Sequence, residues 1–246
     1  MFFLLVAGSV LGVLALLPYL TVVLGPTLAT RRLPLPLPLL ALIQGVSNFS
    51  VAAGLGLFFA RKLGLGAPVL EAWLYRRPIT WPPHFVLISC VIGAVSGAVT
   101  LGLVHSRLGA VLTAMPVASE AAMPIWKRLL ACFYGALCEE VLTRLFLLSL
   151  VIWLLRLLSR SMTRSGGTVL FWIANVVVAI AFGAGHLPLA ARIAPLTVEL
   201  VRVVVALNAL IALPFGYLYW RRGLEAAMLA HFAADVVLHV LGPVVT

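Results

Sequence analysis

Residues 131–155 read ACFYGALCEEVLTRLFLLSLVIWLL, an apolar run of membrane length that contains three charged side chains. About 20 apolar residues are enough to cross the hydrocarbon core of a bilayer as a helix. A charge at the centre of such a helix costs about 2.5–3.5 kcal/mol on insertion scales. We therefore expect Glu139, Glu140 and Arg144 to be paired, to face a wet cavity or to carry out chemistry.

The whole chain has the composition of a membrane protein. It is 63% hydrophobic and only 10% charged, whereas a soluble domain is about half apolar and a quarter charged. Because backbone polar groups cannot stay unpaired in lipid, the spans must be helices or a closed barrel. Long apolar runs without strict alternation favour helices. The sequence thus predicts an all-α, polytopic helical membrane protein.

The apolar runs predict seven membrane spans, and long or bent segments would make eight. Their positions are 1–25, 37–60, 85–106, 129–155, 168–190, 196–219 and 224–243. The first run lacks the positive segment of a cleaved signal and is expected to remain as a span. Segment 61–84, with charges at both ends and aromatic rings at Trp73, Tyr75 and Trp81, predicts a short amphipathic interfacial helix. Without an internal repeat, residues 1–246 are expected to form a single integral membrane domain.

The net charge of +10 is carried mostly by short loops, where basic residues orient the spans and meet anionic headgroups. No basic stripe with interleaved aromatic residues indicates nucleic acid as a partner. Loops 61–84, 156–167 and 220–223 carry more Lys and Arg than the other loops. The positive-inside rule then places the N-terminus in the cytoplasm.

Small residues in the apolar runs predict packing positions. The patterns GSVLG (8–12) and GAVSG (93–97) have the GxxxG spacing of close helix contacts. Cys90, Cys132 and Cys138 are irregularly spaced, which favours small buried residues over a disulfide framework or a metal site.

Two acidic residues near span ends have simple expected partners. Glu225 is expected to be a first-turn acid that is favoured by the helix dipole and paired to Arg221 or Arg222. Glu199 and Arg202 are three residues apart and are expected to pair with each other.

The fourth span carries the first polar cluster. On an α-helix, Glu140 and Arg144 are neighbours four residues apart and can form an ion pair. Glu139 points about 100° away from Glu140, so one carboxylate can be neutralised while the other faces a cavity. A buried network of all three charges is the structural alternative, but such a network needs only one acid.

Two further clusters place histidines in spans. The glycines of FGAGH allow another helix or a substrate backbone to approach His186. In HFAAD, the spacing puts His231 and Asp235 on one helix face, and a simple hydrogen bond between them is the structural alternative. His239 continues that face and is expected at the membrane interface.

The three clusters lie on separate spans and together predict one polar site inside the bundle. Carboxylate and imidazole groups activate water and stabilise oxyanions. No Ser or Cys has a base beside it in sequence, which favours direct attack by water over a covalent intermediate.

EEVLTR, FGAGH and HFAAD resemble, in order, the EExxxR, FxxxH and HxxxN/D motifs of the CAAX protease and bacteriocin-processing family (CPBP, or Abi). This family includes the type II CAAX prenyl endopeptidases. The resemblance covers a catalytic core of roughly 127–243, and the first half matches only as generic membrane helices. It implies an intramembrane endopeptidase that hydrolyses a peptide bond of a CAAX-like, peptide or membrane-protein substrate.

The resemblance also implies residue roles. Glu139 matches the general base, which activates water together with His186. His231 and Asp235 match the pair that stabilises the oxyanion. Prenyl proteases have Asn at the last position, and an ionised Asp would repel an oxyanion. Asp235 must therefore be protonated or must orient His231.

Supporting roles follow in the same way. Glu140 and Arg144 match the supporting ion pair, and Phe182 matches the motif phenylalanine that packs near the water. The tail resembles that of bacterial members, which implies a bacterial cytoplasmic membrane. A prenylated substrate is expected only in a cell that prenylates proteins.

Alternatives concern the cofactor and the function. No HExxH is present and no metal is expected, but Glu139, His186 and His231 could hold Zn²⁺. A non-catalytic scaffold or immunity protein of the same fold stays open. So does a proton-coupled transporter, since intramembrane Glu, His and Arg also mark ion pathways, although no inverted repeat supports it. The oligomeric state is not predicted.

Overall fold

The computed structural model describes residues 1–25, 34–78, 84–106, 112, 122–159 and 164–245. Nine helices are numbered here along these residues: α1 (Phe2–Val23), α2 (Leu37–Leu63), α3 (Pro68–Leu74), α4 (Phe85–Val104), α5 (Ile125–Leu158), α6 (Arg164–Gly185), α7 (Leu187–Ile193), α8 (Val198–Arg222) and α9 (Leu224–Val244). Strands are absent from the described residues. The predicted all-α fold is confirmed.

Seven segments of the described chain are long and apolar enough to cross a membrane, which confirms the predicted number. Six of them are single helices, and the other, Gly167–Ile193, combines most of α6 with the short α7. The fourth span is the longest, with 34 residues. It is α5, the helix that carries EEVLTR.

The outer face of α4 is apolar, as expected for a helix in contact with lipid. Val91, Val95 and Val99 recur every four residues and are about half exposed, at 50%, 56% and 50%. The opposite face buries small and polar residues such as Ser89 and Thr100. Apolar side chains on the outside are what a lipid-facing helix requires.

The GAVSG pattern packs α4 against α9, as predicted. A Cβ added at Gly93 would collide with the Ala230 backbone, and one at Gly97 would lie 2.8 Å from the Ala234 carbonyl oxygen. Since Ala230 and Ala234 flank His231 in sequence, this contact also fixes the helix that carries the HFAAD motif.

The GSVLG pattern packs through only one of its glycines. A Cβ at Gly12 would lie 2.8 Å from the Cys138 sulfur, so α1 crosses α5 closely at this point. Gly8 has nothing within 4 Å of such a Cβ, and its predicted close contact is wrong. The thiols of Cys132 and Cys138 are buried, whereas Cys90 is half-buried.

A short helix, α3, occupies part of the segment predicted to lie at the interface. Trp73 on it is exposed, while Trp81 lies outside the described residues. The carboxylate of Glu225 accepts the backbone N–H of Leu70 at 2.8 Å. Glu225 is in the first turn of α9 as predicted, but among the described residues it forms no ion pair with either preceding arginine. Its partner is the N-terminal half of α3 instead.

The start of α8 has a side-chain cap. The Thr197 hydroxyl accepts the backbone N–H of Leu200 at 3.1 Å, which satisfies one of the free donors of the first turn. Glu199 lies in that turn, where the helix dipole favours an acid. The predicted ion pair between Glu199 and Arg202 is not formed in the described part of the chain.

Candidate active site

The EEVLTR motif lies on a π-helical part of α5. Two π-helical segments, Gly135–Glu139 and Val141–Leu148, follow each other with only Glu140 between them. The α-helix assumed from the sequence is therefore wrong in its local geometry. Such π turns are rare and are frequent at functional sites.

Glu140 and Arg144 form a fully buried ion pair. Their side chains are 0% and 1% exposed, and Arg144 Nε lies 3.3 Å from Glu140 Oε2. Neither atom makes a directed hydrogen bond, so the contact is Coulombic. The predicted pair is present, and it keeps both charges balanced away from lipid and water.

The rest of the guanidinium group is also satisfied. Arg144 Nη2 donates to the Ala212 carbonyl oxygen at 3.1 Å, and Nη1 donates to the Thr143 hydroxyl. The rings of Phe182 and Phe215 lie 5.3 and 5.7 Å from the guanidinium carbon, within cation–π distance. Arg144 is thus held from five sides and cannot turn toward Glu139.

Glu140 has a second partner, the imidazole of His231. Its Oε1 lies 2.7 Å from His231 Nδ1. Because Glu140 is paired to Arg144 and accepts, Nδ1–H is the donor of this hydrogen bond. The other ring nitrogen, Nε2, is 3.6 Å from both Glu139 Oε2 and Asp235 Oδ1. Those distances are too long for hydrogen bonds, so the simple His231–Asp235 bond is not formed.

His186 lies at the junction of α6 and α7. Its Nδ1 is 2.9 Å from the Phe182 carbonyl oxygen, and donation to that carbonyl leaves Nε2 as the acceptor nitrogen of the neutral ring. The Phe182 ring meets the rings of His186 and His231 edge-on, at 4.7 and 6.0 Å between centroids. Phe182 therefore separates and orients the two imidazoles.

Glu139, His186, His231 and Asp235 line one cavity of about 1040 Å³. The side chain of Glu139 is 22% exposed, whereas that of the adjacent Glu140 is fully buried. The walls around these groups are mostly apolar and come from six of the spans. The structure therefore brings together the four predicted catalytic side chains.

Two residues near the cavity have contacts that the sequence did not indicate. His239 lines the cavity, and its ring is 6.3 Å from that of Tyr19; its position at the membrane interface stays a prediction. Arg128, assigned to a loop, is 3% exposed and donates from Nη1 to the carbonyl oxygens of His239 and Val240 at 3.2 and 3.4 Å. These carbonyls lie in a π-helical segment of α9, Val236–Leu241. In the sequence, the only indication of this contact was a basic residue at the start of the fourth span.

The three side chains considered as Zn²⁺ ligands line the same cavity. Within the described ranges, no three His, Cys, Asp or Glu side chains are close enough together to share an ion. His231 Nδ1 is bonded to Glu140, and Nε2 is directed toward Glu139 and Asp235. The absence of a metal stays a prediction.

Residues 121–237 match the family model described as "Type II CAAX prenyl endopeptidase Rce1-like". This region, a little under half of the chain, is similar to that family. It contains all seven predicted site residues, and the resemblance drawn from three motifs is confirmed. Neither a curated protein nor a solved structure matches the chain. At the level of the family, the Rce1-like match supports a CAAX-type intramembrane endopeptidase.

Proposed function

We propose that this protein is an intramembrane endopeptidase in which a water molecule activated by Glu139 and His186 attacks a peptide bond. One observation carries the proposal. Four groups able to exchange or donate protons, from three different spans, face one cavity inside a helical bundle. Carboxylate and imidazole groups in a cavity are the means by which enzymes activate water without a covalent intermediate.

Water activation falls to Glu139 and His186, which both line the cavity. Glu139 has no cationic partner in the described residues other than the facing His231, and it lines the cavity. It would take a proton from water as the water oxygen bonds to the peptide carbonyl carbon. His186, with Nε2 as its acceptor nitrogen, would orient the same water. When the C–N bond breaks, the proton on Glu139 would pass to the leaving amine.

Oxyanion stabilisation falls to His231 and Asp235. The hydrogen bond from His231 Nδ1 to the buried Glu140 fixes the ring with Nε2 toward Glu139 and Asp235, and the proposal requires a proton on Nε2 as well. Nε2–H would then donate to the oxyanion. A protonated Asp235 would add a second donor from the same face of α9, which resolves the repulsion that an ionised Asp would cause.

The substrate class follows from the walls of the cavity. They are mostly apolar, and the cavity opens within helices of membrane length. We propose a peptide or membrane-protein substrate with apolar residues around the scissile bond, prenylated only where the cell supplies that modification. We also propose that no metal takes part, and that EDTA and phenanthroline leave turnover unchanged.

The first test compares membrane-proteome termini from cells that carry wild type, Glu139→Gln or Glu199→Gln. Glu199 is exposed and outside the cavity, so its variant is the matched control. New termini with wild type and the control, but not with Glu139→Gln, are expected. Identical termini in all three strains, with folded protein in each, would overturn the peptidase proposal in favour of a scaffold or a transporter.

A further inference from the structure

Gly135 stands next to the atoms proposed to stabilise the oxyanion. It is the first residue of the π-helical segment Gly135–Glu139, and it lines the cavity. A Cβ added there would collide with Asp235 Oδ2 and would lie 2.8 Å from His231 Nε2. No other glycine among the described residues borders a candidate site side chain in this way.

Backbone conformation does not explain this glycine. Gly135 has φ −54° and ψ −52°, an ordinary right-handed helical conformation that any residue adopts. In a helix interior glycine is less favourable than alanine by about 0.8–1.0 kcal/mol. Gly64, by contrast, has a φ of 69° at the end of α2, where glycine is preferred. What Gly135 supplies is therefore empty space.

Close helix packing does not explain it either. At Gly93 and Gly183 an added Cβ would meet the backbone of a neighbouring helix, as expected at a packing contact. At Gly135 the three nearest atoms all belong to the side chains of Asp235 and His231. A methyl group there would lie between His231 Nε2 and Asp235 Oδ2, where a donor pair would otherwise face the cavity.

We infer that Gly135 is a positioning residue that keeps open the recess in which the scissile carbonyl oxygen is bound by His231 and Asp235. The inference rests on the proposed function. A methyl group at this position can be accommodated only if the side chain of His231 or that of Asp235 moves. His231 is held by the hydrogen bond from Nδ1 to Glu140 at 2.7 Å and by contacts of its ring with the rings of Phe182 and Phe215. Asp235 is then the side chain expected to rotate away, and the recess is filled as well as distorted.

The test is a kinetic comparison of purified Gly135→Ala with wild type and Gly102→Ala on a peptide identified from the termini experiment. Gly102 is an exposed glycine of α4 with nothing within 4 Å of an added Cβ, so it controls for the helix propensity of alanine. We expect Gly135→Ala to lower kcat about 100-fold, the cost of misplacing a reacting group by about 1 Å. KM and the unfolding temperature should stay near wild type.

A double variant separates this role from a structural one. In an Asp235→Ala background, the collision at Oδ2 is gone and the contact with His231 Nε2 remains, so Gly135→Ala should cost less in kcat than it does in wild type. An unchanged kcat in Gly135→Ala, an equal cost in both backgrounds, or a fall in unfolding temperature as the main effect would overturn the inference while leaving the peptidase intact. Absence of turnover in wild type as well would overturn both.

Discussion

Two adjacent glutamates in α5 have opposite surroundings. Glu140 is fully buried and lies between Arg144 and His231, at 3.3 and 2.7 Å. Glu139 lines the cavity, and its Oε2 lies 3.6 Å from the far nitrogen of His231. The first carboxylate is held by two close partners away from the cavity, whereas the second is placed where it can meet a substrate water.

Glu139→Gln is expected to abolish turnover and spare the fold. The amide keeps the size of the side chain but cannot accept a proton, and a general base contributes about 10²–10⁴-fold to rate. The buried Arg144 keeps its partner Glu140 in this variant. Turnover of the identified peptide and the unfolding temperature in detergent are the two measurements. A variant that cleaves at the wild-type rate would remove Glu139 from the mechanism.

Glu140→Gln is expected to destabilise the protein as well as to inactivate it. Removing one partner of a buried ion pair costs about 3–5 kcal/mol, and Arg144 would remain buried with its charge uncompensated. The unfolding temperature should fall well below that of Glu139→Gln, which serves as the matched control one residue away. Equal unfolding temperatures for the two variants would show that Arg144 does not depend on Glu140.

At the scale of the helices, the seven spans could be predicted because hydropathy is a local property. The fourth was placed at 129–155 and is found at Ile125–Leu158, and the third was placed at 85–106 and is found at Phe85–Val104. Charge and Pro or Gly signals set these ends within a few residues. The π-helical geometry around Glu140 could not be predicted, since it changes the backbone without changing the apolar pattern.

Part of the site could be predicted from motif spacing, and the rest depends on which helices are neighbours. The Glu140–Arg144 pair follows from a separation of four residues. The Glu140–His231 hydrogen bond joins residues 91 apart in sequence, and no periodicity indicates it. No periodicity indicates the hydrogen bond from Arg128 to the carbonyl oxygen of His239 either, since these residues are 111 apart. The space that Gly135 leaves beside His231 and Asp235 is likewise not visible in the sequence.

The contact between α4 and α9 yields a test at this scale. Gly93→Ala would push a methyl into the Ala230 backbone, which cannot rotate away as a side chain can. Overpacking of this kind costs about 1–3 kcal/mol, and a shift of α9 would also displace His231. We expect lower stability and lower turnover together. Gly102→Ala on the same helix is the control, and equal stability of the two variants would contradict the packing assignment.

At the scale of the whole molecule, the order of the seven spans determines which loops lie on the same side of the membrane. Successive loops must alternate, so loops 61–84, 156–167 and 220–223 share one side. These are the loops with more Lys and Arg, so the positive-inside rule predicts that this side is cytoplasmic. The N-terminus is then predicted to be cytoplasmic as well, and the loop between α7 and α8 to lie on the other side.

Cysteine labelling in intact cells tests this orientation. Arg77 and Leu196 are exposed and lie in loops predicted to face opposite sides. In a Cys90→Ala background, where the remaining thiols are buried, a membrane-impermeant maleimide should label Leu196→Cys in intact cells and Arg77→Cys only after lysis. The reverse pattern would invert the protein in the membrane. Labelling of both positions in intact cells would contradict the alternation itself, because an odd number of helices between two loops separates them across the bilayer.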